Sequence, residues 1–338
     1  MVVAKLWKLA RRPEGKPRVE DFALVEEEIP ALGEGDVLVE AVALSVDPYL
    51  RYRARMLPLN SVMFGSQVAK VIESRNPQWP VGKHLVHYEG WRTHTLITAS
   101  RLQEKDLQLQ PLPEMQDLPK SLGIGLLGMP GNTAYFGLLD ICEPKAGDTV
   151  LVNGAAGAVG SAVVQIAKIK GCKVIAFAGS DEKVKWVKEL GADHVFNYKT
   201  ANIGEALSQA APNGINAFFD NVGGKFTAEA LNHMADFGRV SLCGAISTYN
   251  EETKEAPGAL TGAFKERVVL TKQLRVEGFL VTRWGARWME GLNQLKAWVL
   301  EGKLKYRETV VHGFEKMPQA FIGLFDGDNI GKAVVVPQ

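Results

Sequence analysis

The stretch LVNGAAGAVGSAVVQIAKIKGCKVIAFAGSDEK, residues 151–183, decides the fold. It opens as a short apolar strand and turns through Ala155-Ala156-Gly157-Ala158-Val159-Gly160. It continues as a run in which Val159, Val163, Ile166 and Ile169 recur near a 3.6-residue period, one face of a helix. KVIAFAG (173–179) is then a second apolar strand, so the whole reads as a βαβ unit. The turn is a variant of G-x-G-x-x-G with Ala in the first position. Gly157 has no side chain to hold a pyrophosphate away from the backbone, and Gly160 lets the helix pack closely on the strand. The helix N-terminus at Ala158 and Val159 presents N–H groups and a partial positive charge to phosphates. A glycine pattern alone says little, but between a strand and a helix it predicts dinucleotide binding. A tight turn without a ligand is the plain alternative.

The end of the second strand selects the dinucleotide. An acid there accepts hydrogen bonds from both hydroxyls of the adenosine ribose and repels a 2′-phosphate. Here the tip is Gly179-Ser180, with Lys183 three residues on. Ser180 can donate to a phosphate oxygen and Lys183 can supply a point charge, which points to NADPH. Asp181 and Glu182 fall in the first turn of the next helix, where acids suit the dipole and can face solvent. Ser180 fits equally as a helix N-cap and Lys183 as part of a solvated face, roles that coexist with phosphate binding.

Outward from this unit the rhythm persists. Strands HVFNYK, NAFFDNVG, RVSLCGA and RVEGFLV alternate with helical runs DEKVKWVKELG, IGEALSQAA, FTAEALNHMADFG and WMEGLNQLKAWVLEGK. Such alternation predicts an α/β domain with a doubly wound parallel sheet. Residues before about 125 are β-rich, with DVLVEAVALSV, VAKVIES and HLVHYEG split by Pro and Gly. The last residues return to strand, short helix, strand. The expected division is 1–126 plus 304–338 for a β-rich domain and 127–303 for the dinucleotide domain.

A chain of 338 residues is long enough for two domains. It has 46% hydrophobic residues, 23% charged residues and a net charge of +1. That balance implies no general attraction to nucleic acid or anionic membrane. No apolar run approaches the ~18 residues of a membrane span. The N-terminus lacks a signal-peptide core and reads as a first strand. Cys142, Cys172 and Cys243 form no pairing pattern, which suits a reducing cytoplasm. The six histidines and three cysteines make no zinc constellation, so no metal site is expected. No G-x-S-x-G turn or Walker-type loop occurs, which weighs against hydrolases and nucleotide hydrolysis.

Several blocks extend the reading: SVDPYLR (45–51), VAKVIES (68–74), GMPGNTAYFGLLDIC (128–142), the 153–174 glycine-turn segment, GSDEK (179–183), FNYK (196–199), FDNVGG (219–224), CGAISTYN (243–250) and GDNIGK (327–332). In this order they make the chain resemble, over nearly its whole length, the zinc-free medium-chain dehydrogenase/reductases, and within them the prostaglandin reductase group. The resemblance implies a GroES-like catalytic domain joined to a Rossmann domain. It implies NADPH-dependent reduction of the carbon–carbon double bond of α,β-unsaturated ketones and aldehydes, 15-oxo-prostaglandins and alkenals among them, with oxidation of leukotriene B4 as a further direction. It also implies a cytoplasmic homodimer, paired at the edge strand RVEGFLV, that acts on an enone or eicosanoid.

The same resemblance carries roles onto matching positions. Gly157 to Gly160 would hold the pyrophosphate, and Lys183 and Tyr198 the 2′-phosphate. Asn221 would lie near the cofactor ribose; alone it reads as a turn residue before two glycines. Cys243, Gly244, Ala245, Ile246, Ser247, Thr248 and Tyr249 would run beneath the nicotinamide half. Phe279 and Leu280 would line it, though core packing explains them as well. Met129 and Thr133 would approach from the domain junction, and Asn329 would close the cleft. Tyr249 would donate a hydrogen bond to the substrate oxygen, because a phenol of pKa ~10 stays protonated at neutral pH. Tyr49 is the weaker candidate for the substrate pocket. Tyr49, Phe264 and Trp284 would suit a fatty-acid tail. Departures stand at Asn132, where Leu is expected, at Gly154, where Ala is expected, and over 250–268, where the group has a Pro-rich loop. A zinc-free quinone oxidoreductase and a non-catalytic NADPH-binding structural protein are the alternatives.

Overall fold

The computed structural model describes residues 2–104, 106–251 and 265–338. The chain divides into two units: Met1–Gly125 with Glu308–Asn329 and Ala333–Gln338, and Leu126–Arg307 with Ile330–Lys332. Seven strands come before the second unit: β1 (Val3–Leu9), β2 (Phe22–Glu28), β3 (Val37–Ser45), β4 (Gln67–Ser74), β5 (His84–His87), β6 (His94–Ile97) and β7 (Leu109–Pro111). Six follow: β8 (Thr149–Val152), β9 (Lys173–Ala178), β10 (His194–Asn197), β11 (Ile215–Asp220), β12 (Met234–Leu242) and β13 (Arg275–Gly278). β14 (Glu308–His312) and β15 (Lys332–Val336) close the chain.

In the first unit β1 and β2 form an antiparallel pair, and a larger sheet runs in the order β14-β15-β3-β4-β5-β7, with β6 on β3. Trp91, with no exposure, centres its core. Phe22 lies 5.6 Å and Phe321 5.8 Å from the Trp91 ring. Phe321 comes from the C-terminal helix Met317–Asp326, so the returning segment completes the β-rich core. The Trp7 indole N–H adds a bond of 3.0 Å to the Phe314 carbonyl. Such aromatic clusters bury large apolar areas around few rotatable bonds.

The second unit is a six-stranded sheet in the order β10-β9-β8-β11-β12-β13, each pairing parallel. Numbered within the unit, that is 3-2-1-4-5-6, the doubly wound order of dinucleotide-binding domains. β8 and β9 read as continuous apolar runs because helices cover both faces, and Val150, Leu151 and Val174 to Phe177 have no exposure. The strands lie where the alternation places them, but RVEGFLV reads as a strand through Val281 whereas β13 stops at Gly278, and HVFNYK through Lys199 whereas β10 stops at Asn197. One helix reading is also corrected. FTAEALNHMADFG reads as one helix, but the helix Gly224–Asn232 stops at His233 and Met234 begins β12 beside Ile215. Met234 satisfies either pattern as an apolar residue, and the sheet claims it.

Candidate functional site

The parallel order puts the carboxyl ends of β8, β9, β11 and β12 along one edge, with the reversal of strand order between β8 and β11. Crevices at such reversals are where ligands bind in these sheets. β8 leads into Asn153 and the glycine turn, and Gly157 caps the helix Ala158–Ile169 without any side-chain hydrogen bond to its first amides. Gly157, Ala158 and Val159 are half-buried, so the helix start is open on one side. A Cβ on Gly160 would stand 2.3 Å from the Gly154 carbonyl oxygen, and one on Gly157 3.3 Å from it. Gly154 itself has φ +56°, where Ala would be strained. The turn closes only as built, and its uncapped helix start is a fit for a pyrophosphate.

At the tip of β9 the Ser180 hydroxyl caps the helix Asp181–Glu189 by accepting from the Lys183 N–H at 3.3 Å. Its proton remains available to a phosphate oxygen. Tyr198, 47% exposed, donates its N–H to the Ala178 carbonyl at 3.0 Å and lays its ring against Gly179. Asp181 accepts from the Asn197 amide at 2.9 Å. Glu182 pairs with Arg307 at 2.9 Å. Gly179, Ser180, the Lys183 N–H and Tyr198 thus lie together at one strand end with no acid at the tip, where the chemistry fits a 2′-phosphate.

The loops after β11 and β12 are held by Asp220, which is buried at 1% exposure. One carboxylate oxygen accepts from the Asn153 side-chain amide at 2.7 Å and from the Val222 and Gly223 N–H groups at 3.0 Å each. The other accepts from the Thr227 hydroxyl. Asn153 in turn accepts from the Asn221 N–H at 2.6 Å, and its carbonyl takes the Asn221 amide at 2.8 Å. Gly223 has φ +71°, and a Cβ there would stand 2.9 Å from that of Ala245. Residues 221–224 and 243–249 therefore pack as one layer, with Ser247 bonded to the Val222 carbonyl at 2.7 Å. Thr248 bonds to the Ala245 carbonyl at 3.0 Å. Asp220 and Asn153 escaped sequence reasoning because each reads as an ordinary polar residue at a strand end. The available signal is an acid followed by a run of small, turn-forming residues, which supply the donors.

Tyr249 is half-buried, and its hydroxyl accepts from the Ala245 N–H at 3.2 Å. Burial raises its pKa, and the nearby Cys243 and Asp220 raise it further against that hydrogen bond. Desolvation, with Asp220 beside it, pushes the Cys243 thiol up to about 12. Cys243 is thus a neutral thiol at physiological pH. Met129 and Thr133 share the helix Met129–Phe136, where the Thr133 hydroxyl donates to the Met129 carbonyl at 2.7 Å.

Other positions stand apart. Phe279 packs its ring on Phe219 at 6.3 Å and Trp284 at 5.4 Å, while Leu280 is 79% exposed. Trp284, expected to suit a fatty-acid tail, is instead core: it is 6% exposed and stacked on Phe136 at 5.3 Å. Periodicity could not separate a pocket wall from this aromatic cluster. Phe264 and most of the 250–268 departure lie outside the described residues. Tyr49 belongs to the first unit and packs on its core, and burial raises its hydroxyl pKa well above the usual value, with Asp47 adding to the effect. Asn329 ends the first unit's stretch just before Ile330–Lys332. Among the described residues no group of three or more His, Cys, Asp or Glu is placed to hold a metal, and no helix is long and apolar enough to cross a membrane.

Two family models match the chain: "N-terminal domain of oxidoreductase" over residues 5–104 and "Zinc-binding dehydrogenase" over residues 158–297. Prostaglandin reductase 1 of Oryctolagus cuniculus is 49% identical over 336 residues, 98% of this chain and 93% of that protein. A 2-alkenal reductase (NADP(+)-dependent) of Nicotiana tabacum is 38% identical over 336 residues, 95% of this chain and 94% of its own length. Among solved structures, CurA in complex with NADPH from Vibrio vulnificus superimposes with a TM-score of 0.90 at 38% identity, covering 99% of each chain.

Proposed function

The chain belongs to the prostaglandin reductase family of the zinc-free medium-chain dehydrogenase/reductases, and on that premise we propose that it is an NADPH-dependent reductase of the carbon–carbon double bond in α,β-unsaturated ketones and aldehydes. The names of its rabbit and tobacco relatives, and the NADPH in the Vibrio structure, support the reading. The observation that carries it is local: a protonated phenol, Tyr249, is fixed by the Ala245 N–H on the loop that packs against Val222–Gly224 after β11.

When bound, NADPH supplies the hydride. The chain's own residues do the rest. Gly157, Ala158, Val159 and Gly160 hold the pyrophosphate, and Ser180, Lys183 and Tyr198 the 2′-phosphate. Asn221 and residues 243–249 orient the ribose and nicotinamide, with Met129, Thr133, Phe279 and Leu280 as further contacts from the same unit. As negative charge builds on the substrate's carbonyl oxygen, Tyr249 donates its hydroxyl proton in a hydrogen bond there. A preorganised neutral donor of this kind lowers the barrier without ionising.

The assignment extends to a GroES-like substrate-side domain at 1–126 with 304–338 and a dinucleotide domain at 127–303. It extends also to 15-oxo-prostaglandins and leukotriene B4 as lipid substrates, and to a cytoplasmic homodimer. β13 is an edge strand of its sheet, followed by exposed Leu280, which supports pairing there.

The test follows NADPH oxidation with a 15-oxo-prostaglandin, an alkenal and a quinone. Turnover of the first two is expected; inert enones beside active quinones overturn the assignment. Lys183→Ala should raise KM for NADPH about tenfold and leave that for NADH nearly unchanged.

A further inference from the structure

The 2′-phosphate reading leaves an electrostatic difficulty that the structure itself addresses. Asp181 and Glu182 both lie in the first turn of the helix that Ser180 caps, beside the place for a dianionic phosphate. Asp181 is bonded to a neutral amide, Asn197. Glu182 is paired to a cation, Arg307, at 2.9 Å. The Arg307 guanidinium stands 5.9 Å from the ring of Trp186, one turn along the same helix.

Arg307 is held from behind. The Lys305 N–H and carbonyl both bond the Gln165 side chain, at 2.7 and 2.9 Å. The Arg307 carbonyl accepts from the Lys332 N–H at 3.0 Å, and the adjacent Gly331 N–H reaches the Ala156 carbonyl at 2.7 Å. Gly331 has φ +67°, and a Cβ there would stand 1.9 Å from the Arg307 carbonyl oxygen, so only glycine makes this crossing. The segment that fastens the glycine turn also aims Arg307 at the ribose-side helix.

We infer that Arg307 is a specificity-determining positioning residue: it neutralises Glu182, so that the side-chain charges of the first turn cancel and the partial positive charge of the helix start faces a 2′-phosphate. This rests on the 2′-phosphate reading above. With Arg307 in place the charges of Lys183 and Arg307 balance those of Asp181 and Glu182. Without it the first turn carries a net negative charge next to the phosphate. Both partners are partly exposed, at 43% and 67% of their side-chain area, so the expected effect is severalfold and salt-sensitive.

The test is calorimetric titration of the full chain with adenosine 2′,5′-bisphosphate and with 5′-AMP, which differ only by the 2′-phosphate. At low ionic strength Arg307→Gln should lower the affinity ratio of bisphosphate to AMP about three- to tenfold, and high salt should shrink the loss. Adding Glu182→Gln to that variant should restore the ratio to within about twofold. Glu182→Gln alone should raise it about two- to threefold, and this variant keeps the test open if the Arg307 variant does not fold. An unchanged ratio in Arg307→Gln, or a fall in Glu182→Gln, overturns the inference. Equal losses in the single and double variants also overturn it, because Arg307 would then be a direct phosphate ligand. A wild-type chain that binds both probes equally removes the 2′-phosphate reading itself, an outcome distinct from the others.

Discussion

The Tyr198 ring lies so close to Gly179 that a Cβ built on the glycine would stand 2.9 Å from the phenolic oxygen and 3.0 Å from the ring. The tip of β9 is therefore bare for two reasons. An acid is absent, and the space an acid would use is filled by an aromatic. Gly179→Asp adds a like charge and pushes Tyr198 aside. The expected result is a fall of about 10²-fold in the preference for NADPH over NADH, read as the ratio of kcat/KM values. A preference unchanged within threefold would mean that Gly179 does not face the adenosine ribose.

Tyr249 presents a second testable relation. Its hydroxyl oxygen accepts from the Ala245 N–H while burial holds the phenol above its ordinary pKa near 10. Tyr249→Phe should lower kcat by about 10²–10³, the usual cost of removing one preorganised donor. In the wild type the neutral phenol persists as pH rises to about 10. A kcat profile flat from pH 7 to 9, lost in no pH-dependent way by the Phe variant, fits the role. A Phe variant with wild-type turnover removes Tyr249 from the chemistry.

Much of this layout was legible in the sequence, and the parts that were not share a cause. The 151–183 segment fixed its own strands and helix, because Val163 and Ile166 bury one helix face while Gly157 and Gly160 close the turn. The bare tip at Gly179-Ser180 was readable because an absent acid is a local fact. Asp220 was not, because its role depends on four donors brought from 153, 222, 223 and 227 by folding. Trp284 could not be placed, for the converse reason. An aromatic near a strand end reads the same whether it faces ligand or Phe136. Arg307 lies 125 residues from Glu182 in the chain, and no local pattern links them.

Asp220 should be the costliest polar residue of the second unit to remove. Asp220→Ala leaves the Asn153 amide, the Val222 and Gly223 N–H groups and the Thr227 hydroxyl without their acceptor. The buried Asn153 amide costs about 1–3 kcal/mol when orphaned; the other three donors are partly buried and cost less each. A loss of about 3 kcal/mol or more in urea unfolding is expected, with Asp220→Asn intermediate. A loss under 1 kcal/mol would show that water replaces the carboxylate at little cost.

His87 sets a pH dependence in the first unit. It has no exposure, its Nδ1 accepts from the Glu89 N–H at 3.2 Å, and burial, with Arg92 and Arg101 nearby, pushes its pKa down to about 3. The folded state keeps the ring neutral while the unfolded chain protonates it below about 6.5. Protons bound by the unfolded state then exceed those of the native state between the two values. The stability His87 contributes is present above pH 6.5 and is lost as pH falls toward 3, by about 1.4 kcal/mol per unit. His87→Asn should flatten that part of the stability profile, whatever its effect at neutral pH. An unchanged slope between pH 6 and 4 would assign the acid sensitivity to other groups.

Asn132 is the departure from the family pattern that the structure turns into a stability prediction. It is fully buried in the helix Met129–Phe136, and its amide donates to the Trp288 carbonyl at 3.1 Å. Its Oδ1 has no hydrogen-bond partner among the described residues. The fit is close, since a Cβ on Gly291 would stand 2.1 Å from that oxygen. Leucine branches at the same carbon, so Asn132→Leu removes an unsatisfied buried carbonyl and adds apolar contact. It also takes one donor from Trp288. An unpaired buried acceptor costs about 1–3 kcal/mol, more than the net worth of one neutral hydrogen bond, about 1 kcal/mol. The variant should therefore unfold at higher urea, with a gain of about 1 kcal/mol and an unchanged slope. A loss of that size instead would mean either that a buried water satisfies Oδ1 or that Gly291 leaves too little room for a second methyl. Adding a compensating cavity would then restore stability only in the second case.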